Sequence, residues 1–165
     1  MLGRMPSVLV VDDEGDICTI VTLALQHEGF EVRSVSRGQE ALALLESAPP
    51  DVVILDIMMP DVDGFAVLAE VRRRRLAPDT RFIVATCRTS EPDHLRGWEL
   101  GADDFVTKPF EVTELPDRVW DVLAATPAEL AERRERELAK AALLDRLEAA
   151  MRRPSRASTG QRPGR

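Results

Sequence analysis

Short apolar segments alternate with longer amphipathic segments along most of the chain. The apolar segments are rich in Val, Ile and Leu, and their length is typical of strands. The segments between them have helical periodicity, and strands that alternate with helices indicate an α/β fold. The sequence therefore predicts a doubly wound, five-stranded parallel sheet with helices on both faces. The strand candidates are Ser7–Val11, Phe30–Val35, Asp51–Leu55, Arg81–Ala85 and Asp104–Thr107.

The strand candidates differ in how their apolar residues are arranged. Ser7–Val11 (SVLVV) and Asp51–Leu55 (DVVIL) are almost continuously apolar. Such runs are typical of strands that are buried on both faces of a parallel sheet. Phe30–Val35 (FEVRSV) alternates between apolar and polar residues, so we expect it at an edge of the sheet.

Helix candidates lie between the strands, and residues that stop or cap helices stand at their ends. Gly29 and Gly101 occupy positions where a left-handed helix end favours glycine, and Pro49-Pro50 stops the second helix. Thr113 is a candidate cap for the fifth helix. The helix candidates are residues 14–28, 37–48, 63–75, 90–100 and 113–125.

The pattern changes after residue 125, which divides the chain into a domain at residues 5–125 and an extension. Residues 126–152 predict one polar C-terminal helix, whose apolar residues become frequent only near its end. Its apolar seam is too irregular for a long coiled coil. Residues 153–165 carry four arginines, no acid and few apolar residues, so we expect a disordered basic tail.

Charge is distributed unevenly between these parts. Residues 1–125 hold 12 Lys and Arg against 23 Asp and Glu, whereas residues 126–165 hold 10 against 6, within a net charge of −7. A strongly acidic domain does not attract nucleic acid through its overall field, so no direct DNA binding is expected. Its clustered carboxylates could instead hold a cation.

Composition excludes several other classes of protein. The 165 residues are 44% hydrophobic, which suffices for one globular domain with an appendage. The chain has neither the run of about 18 apolar residues that a membrane span needs nor a signal peptide, so we expect a cytoplasmic protein without membrane contact. Two cysteines and two histidines support neither a disulfide framework nor a zinc centre.

Three acids stand at the ends of predicted strands. Asp12 and Asp13 follow the first strand, and Asp56 ends the third. Ligands of doubly wound sheets bind beyond the carboxyl ends of the strands, so these side chains are expected to converge. A single Asp after a strand is commonly a turn or cap residue, but three like charges repel unless a cation neutralises them. Oxygen ligands alone favour a hard cation such as Mg²⁺.

Two further side chains indicate what such a cation could support. A carboxylate beside Mg²⁺ could activate water, or could itself attack a phosphoryl group. Thr86 ends the fourth strand with a hydroxyl, and Lys108 follows the fifth with a positive charge. These groups suit the remaining oxygens of a bound phosphoryl group, which favours the second chemistry.

Taken together, these residues form a known set. It consists of Asp12-Asp13, Asp56 within ILDIMMPDVDG, Thr86 after FIVA, and Lys108-Pro109 within GADDFVTKPF. The set resembles the receiver domain of bacterial two-component response regulators over about residues 5–125. The resemblance implies a flavodoxin-like fold with strand order 2-1-3-4-5.

The resemblance also implies a role for each residue. Asp56 would be the phosphoacceptor, with Asp12, Asp13, Asp56 and the backbone carbonyl of Met58 around Mg²⁺. Thr86 and Lys108 would hold the phosphoryl oxygens. Thr86 and the aromatic Phe105 would form the switch, and Lys108-Pro109 would be a cis peptide. Two positions depart from the usual pattern: Cys87 replaces a small residue, and Phe105 lacks the hydroxyl of the more frequent tyrosine.

The predicted function is therefore a response regulator that accepts a phosphoryl group on Asp56 from a sensor histidine kinase or phosphotransfer protein. Its only catalysis would be its own phosphorylation and dephosphorylation, and its output would run through contacts with a downstream protein. One alternative is a Mg²⁺-dependent phosphatase that forms an aspartyl phosphate, although Met58 stands where such enzymes carry a second acid. The other is that the chain is the first part of a longer regulator.

A homodimer through the fourth and fifth helices is a further expectation. In one subgroup of the family, acids near the fifth strand pair with an arginine on the partner's fifth helix. Asp104, Glu114 and Arg118 occupy the corresponding positions, with Leu95 and Trp98 as candidates for apolar contact. The competing expectation is a monomer in which the C-terminal helix covers the same face.

Overall fold

The computed structural model describes residues 3–87 and 90–152. Five parallel strands form one sheet in the order β2-β1-β3-β4-β5, which confirms the predicted fold and strand order. The predicted strand positions are correct to within one residue at each end. The strands are β1 (Ser7–Val11), β2 (Glu31–Val35), β3 (Val52–Asp56), β4 (Arg81–Thr86) and β5 (Asp104–Thr107).

The burial of the strands follows their position in the sheet. Every residue of β1 and β3 is buried, and these two strands pair in register from Val8 with Val52 to Val11 with Leu55. By contrast, β2 is an edge strand without a fully buried residue. The alternating sequence of β2 therefore predicted its place correctly.

The helices also lie where the amphipathic segments predicted them. Gly29 and Gly101 have φ values of 90° and 93°, the left-handed conformation that glycine adopts without strain. Thr113 does not cap α5, because residues Val112–Glu114 form a short 3₁₀ helix and the α-helix begins after them. The helices are α1 (Gly15–His27), α2 (Gly38–Ser47), α3 (Gly64–Arg74), α4 (Glu91–Glu99), α5 (Leu115–Ala124) and α6 (Pro127–Arg152).

Two apolar layers hold the helices on the sheet. One layer joins the sheet to α2, α3 and α4, and the other joins it to α1 and α5. Leu45, Leu68 and Val119 are typical members, each no more than 1% exposed. This burial is the main source of stability, at about 1.5–3 kcal/mol for each large apolar side chain. The layers fix the carboxyl ends of the strands, where the predicted site lies.

The C-terminal helix α6 does not stand apart from the domain. It packs along α4, and Leu130 and Ala141 on it are buried. Within residues 3–87 and 90–152, no helix combines the length and apolar character needed to cross a membrane. The disordered tail expected at residues 153–165 lies outside the described residues.

Candidate functional site

The carboxyl ends of four strands bring the predicted site residues to one edge of the sheet. Asp12 follows β1, Asp56 ends β3, Thr86 ends β4 and Lys108 follows β5. Asp12, Asp56 and Thr86 are each no more than 3% exposed. The sequence predicted this convergence correctly, because parallel strands all end at the same edge.

Asp12, Asp13 and Asp56 form a carboxylate cluster. One oxygen from each residue lies within 4.8 Å of the others. Asp12 and Asp56 are buried, whereas Asp13 is exposed and faces the cluster from the solvent side. An exposed carboxylate beside two buried ones leaves an open side, as a site for a partly hydrated hard cation requires.

Local backbone structure holds the two buried carboxylates in place. The Oδ1 of Asp12 accepts a hydrogen bond from the backbone N–H of Glu14 at 2.9 Å, and the Oδ1 of Asp56 accepts one from that of Met58 at 3.1 Å. Asx turns of this kind are common after strands. Gly64 begins α3 directly against the backbone of Asp56, where an added Cβ would collide. The loop after β3 is therefore fixed at both ends.

Lys108 joins the carboxylates. Its Nζ donates to Asp12 Oδ2 at 2.6 Å and lies 3.3 Å from Asp56 Oδ2. The backbone N–H of Lys108 donates to the carbonyl of Thr86 at 2.9 Å, and the peptide between Lys108 and Pro109 is cis, as predicted. Burial disfavours the ammonium, but the hydrogen bond to Asp12 and the charge of Asp56 outweigh it and raise the pKa of Lys108.

The environment of Asp56 favours its protonated form. Burial raises the pKa of Asp56 to about 6, and the negative charge of Asp12 adds to the increase. The charge of Lys108 and the N–H of Met58 act in the opposite direction without cancelling it. A positive charge placed beside Asp56 would therefore lower this pKa and stabilise the carboxylate.

Glu14 is a site residue that the sequence did not single out. Its Oε1 lies 3.5 Å from Lys108 Nζ, although its side chain is 63% exposed. The sequence did contain an indication of this role, because Glu14 directly follows Asp12 and Asp13 in the same loop. It is a third acid that can attract Lys108.

An apolar groove of about 330 Å³ flanks the site. Ile17 and Ile20 of α1 form one side, and Cys87 lies at its rim. Ile20 is 50% exposed, which is unusual for a large apolar side chain next to a charged cluster. The groove therefore places exposed apolar surface directly beside Lys108.

The predicted switch residue Phe105 points inward against α4. Its ring centroid lies 5.0 Å from that of Trp98 and 5.1 Å from that of His94. Trp98 is only 7% exposed, so the expectation that it supplies apolar surface is wrong. It belongs to the apolar cluster against which Leu138 of α6 packs, a long-range contact that the helical pattern did not reveal.

The three predicted interface residues lie near one another on the same chain. Arg118 Nη1 donates to Asp104 Oδ2 at 3.0 Å. Glu114 is exposed at the end of the 3₁₀ helix, four residues before Arg118. Asp104 and Arg118 thus pair with each other within the chain.

Comparison with known proteins identifies the family that has this set of site residues. The family described as the response regulator receiver domain matches residues 8–120. The chain belongs to this family. Response regulators of this kind are signalling proteins that partner with sensor histidine kinases, and their receiver domains generally bind Mg²⁺ at an acidic pocket.

Several receiver proteins are similar to this chain. The transcriptional regulatory protein TrcR of Mycobacterium tuberculosis is 44% identical in a 133-residue alignment that covers 74% of this chain and 51% of that protein. Response regulator SaeR of Staphylococcus aureus is 42% identical over 72% of this chain and 51% of its own length. The chain thus spans about half the length of these curated relatives.

A solved receiver structure supports the same assignment. The chemotaxis protein CheY4 of Vibrio cholerae superimposes with a TM-score of 0.68 at 35% identity, covering 73% of this receiver chain and 100% of that one. The shared fold and the matched family therefore favour a receiver domain over the alternative of a Mg²⁺-dependent phosphatase.

Proposed function

We propose that this receiver accepts a phosphoryl group on Asp56 and that the aspartyl phosphate is its signalling state. The observation that carries the proposal is the position of Lys108, whose ammonium lies between the carboxylates of Asp12 and Asp56. A cation so placed can neutralise the charge of an incoming phosphoryl group. The match to the receiver family supports the same reaction.

We assign the cation site to the carboxylate cluster. Asp12, Asp13 and Asp56 would hold Mg²⁺ together with the backbone carbonyl of Met58. The donor set fits, because it consists of oxygen atoms and has an open side formed by the exposed Asp13. The bound ion would supply positive charge that keeps Asp56 ionised and offsets the charge of the phosphoryl oxygens.

The reaction is a transfer between two residues. A carboxylate oxygen of Asp56 attacks phosphorus, a P–O bond forms, and the P–N bond to the donor histidine breaks so that the imidazole leaves. Lys108 and the hydroxyl of Thr86 contact the phosphoryl oxygens. Slow attack by water on the aspartyl phosphate then regenerates Asp56 and releases phosphate.

The competing function is a Mg²⁺-dependent phosphatase that passes through an aspartyl phosphate. Such an enzyme uses a second acid two residues after the nucleophile, and Met58 occupies that position here. The receiver assignment therefore accounts for the site better.

Two partners follow from the proposal. The phosphodonor would be a sensor histidine kinase or a phosphotransfer protein, and the apolar groove beside Lys108 offers it a docking surface. A downstream protein would read the phosphorylated state. A homodimer through α4 and α5, with Asp104, Glu114 and Arg118 at its interface, remains an open proposal, as does a role within a longer regulator.

The decisive experiment measures phosphorylation by mass. Incubation with acetyl phosphate and Mg²⁺ should add about 80 Da, the mass of one phosphoryl group. Asp56→Asn should abolish the adduct because the amide cannot act as the nucleophile. Asp61→Asn, a matched loss of an exposed acid in the same loop, should leave it intact. A full adduct on the Asp56 variant would refute the assignment.

A further inference from the structure

Helix α6 is attached to the receiver through one side of its first half. Leu130, Leu138 and Ala141 face the domain, and Leu130 and Ala141 are 3% and 4% exposed. Leu138 packs against the apolar cluster that contains Trp98 of α4. Residues 145–152 are exposed at every position. The helix therefore covers α4 with its first half and extends beyond the domain with its second.

Two ion pairs join α6 to the domain. Arg133 Nη2 lies 3.0 Å from Asp121 Oδ2 of α5, and Arg134 anchors α6 through its pair with Asp103 before β5. Arg134 Nη2 donates to Asp103 Oδ1 at 2.9 Å, and the same guanidinium reaches the carbonyls of Ala102 and Gly101 at 3.3 and 3.4 Å. Asp103 is 4% exposed, and its Oδ2 accepts from the backbone N–H of Phe82 at 2.8 Å. A buried carboxylate needs a compensating charge, and Arg134 of α6 provides one.

Strand β5 connects this anchor to the phosphoacceptor site. Asp103 directly precedes the strand and Lys108 directly follows it. Between them, Phe105 lies against Trp98 and Gly97 of α4, so closely that a Cβ on Gly97 would overlap its ring. The four residues of β5 thus link Asp103, which pairs with α6, to Lys108 of the site, and Phe105 within the strand packs against α4.

The position of Lys108 suits a response to phosphorylation of Asp56. Its ammonium is closer to Asp12, at 2.6 Å, than to Asp56, at 3.3 Å. Phosphoryl oxygens on Asp56 would attract it more strongly than the present carboxylate does. A shift of Lys108 toward Asp56 would act on β5 and, through Phe105 and Asp103, on the contacts of α6 with α4 and with the residue before β5.

We propose that α6 is a phosphorylation-controlled cover of α4. It is docked while Asp56 is unmodified, and phosphorylation releases its first half, which exposes Trp98 and the apolar side of α6 itself. This inference rests on the proposed phosphorylation of Asp56. It goes beyond that function because it identifies which element responds and which contacts it gives up.

Hydrogen exchange of the full chain, measured by mass spectrometry, tests the release. Beryllofluoride with Mg²⁺ should accelerate exchange in residues 127–141 by about tenfold or more, because released helical turns open locally. Residues 145–152 should exchange rapidly in both states and serve as an internal reference. Asp56→Asn should show no acceleration.

The same samples separate this inference from the proposed function. Intact mass after acetyl phosphate treatment reports whether Asp56 is modified. Complete phosphorylation with unchanged exchange in residues 127–141 would overturn the cover while leaving the phosphoacceptor assignment in place. Absence of phosphorylation would overturn both.

A variant of the anchor tests the coupling in the opposite direction. Linkage requires that loosening α6 favours the phosphorylated state as much as phosphorylation favours loosening. Arg134→Gln should therefore tighten beryllofluoride binding several-fold and make exchange in residues 127–141 fast without it. Arg136→Gln removes the same charge from an exposed position of α6 and should change neither quantity. Equal beryllofluoride affinities in the two variants would contradict the coupling.

Fluorescence provides an independent reading. The chain has two tryptophans, and Trp120→Phe leaves Trp98 as the only emitter. Beryllofluoride should shift the emission of Trp98 to longer wavelength and increase its quenching by acrylamide, because release of α6 exposes the indole. Unchanged emission in a fully beryllofluoride-bound sample would show that α4 stays covered.

Discussion

At the scale of single residues, the site is a balance of charge around Lys108. One ammonium faces Asp12, Asp56 and the more exposed Glu14, and Asp13 completes the acidic cluster. Like charges this close repel, so the site carries an unfavourable excess of negative charge. The same excess prepares the site for a cation.

The first prediction at this scale concerns pH. Because the pKa of Asp56 is raised from 3.8 to about 6, the folded protein holds a proton that the unfolded chain has already released between these values. Raising the pH through this window should therefore lower stability, by up to about 3 kcal/mol. Denaturant unfolding in EDTA across pH 4–7 should show this loss in the wild type relative to Asp56→Asn. Parallel pH profiles of the two proteins would contradict it.

The second prediction concerns Mg²⁺. Binding to the folded state alone raises stability by about 2.7 kcal/mol at a concentration of roughly 100 times the dissociation constant. Thermal melting should therefore rise with millimolar Mg²⁺. Asp13→Ala should remove the rise because it takes away an exposed ligand without disturbing the core. Asp61→Ala is the control, and a wild type indifferent to Mg²⁺ would count against the cation site.

At the scale of elements, each helix depends on a few apolar side chains that contact the sheet or another helix. Leu45 on α2 is 1% exposed within the main cluster, whereas Leu147 on α6 is 52% exposed. The two leucines have the same chemistry and the same helical conformation. Their difference in burial alone decides how much each contributes to stability.

The matching prediction compares these two leucines. Leu45→Ala should lower the free energy of unfolding by about 2–5 kcal/mol, because it removes buried methyl groups and leaves a cavity. Leu147→Ala should change it by less than about 0.5 kcal/mol. Urea unfolding of both variants measures the difference, and similar midpoints would mean that α2 is not packed as described.

At the scale of the whole molecule, the two faces beside the site differ in whether their apolar surface is accessible. On the α1 side an apolar groove is open beside Lys108, and on the α4 side the surface is covered by α6. The open side suits a protein that must reach Asp56. The covered side suits a surface whose exposure depends on the state of Asp56.

The last prediction separates recognition of a phosphodonor protein from the chemistry at Asp56. Ile20→Glu places a charge at a position of the groove that is 50% exposed and is not one of the clustered acids, so phosphorylation by acetyl phosphate should stay within about twofold of the wild type. Transfer from a cognate histidine kinase should fall by about tenfold or more, because an apolar contact in a protein interface is lost. Leu23→Glu, 61% exposed on the same helix but outside the groove, is the matched control. An equal fall with both donors would show damage to the site itself.

Local sequence patterns were sufficient to predict the sheet, its edge strand and the convergence of Asp12, Asp13, Asp56, Thr86 and Lys108. It could do so because apolar periodicity is local and because parallel strands must end at one edge. Strand positions followed to within one residue for the same reason. The short 3₁₀ helix before α5 was missed, since local pattern locates helix ends poorly.

The position of α6 and the surface that it covers could be established only from the folded structure. The side of α6 that contacts the domain has only three apolar residues, Leu130, Leu138 and Ala141, beside Arg134. Most of the helix is polar, so the sequence pattern does not reveal a buried face. The anchor joins Arg134 to Asp103, and the supporting contact joins Phe105 to Trp98. Such pairs form because the fold places the helices side by side, and neither partner carries a local signal that specifies the other.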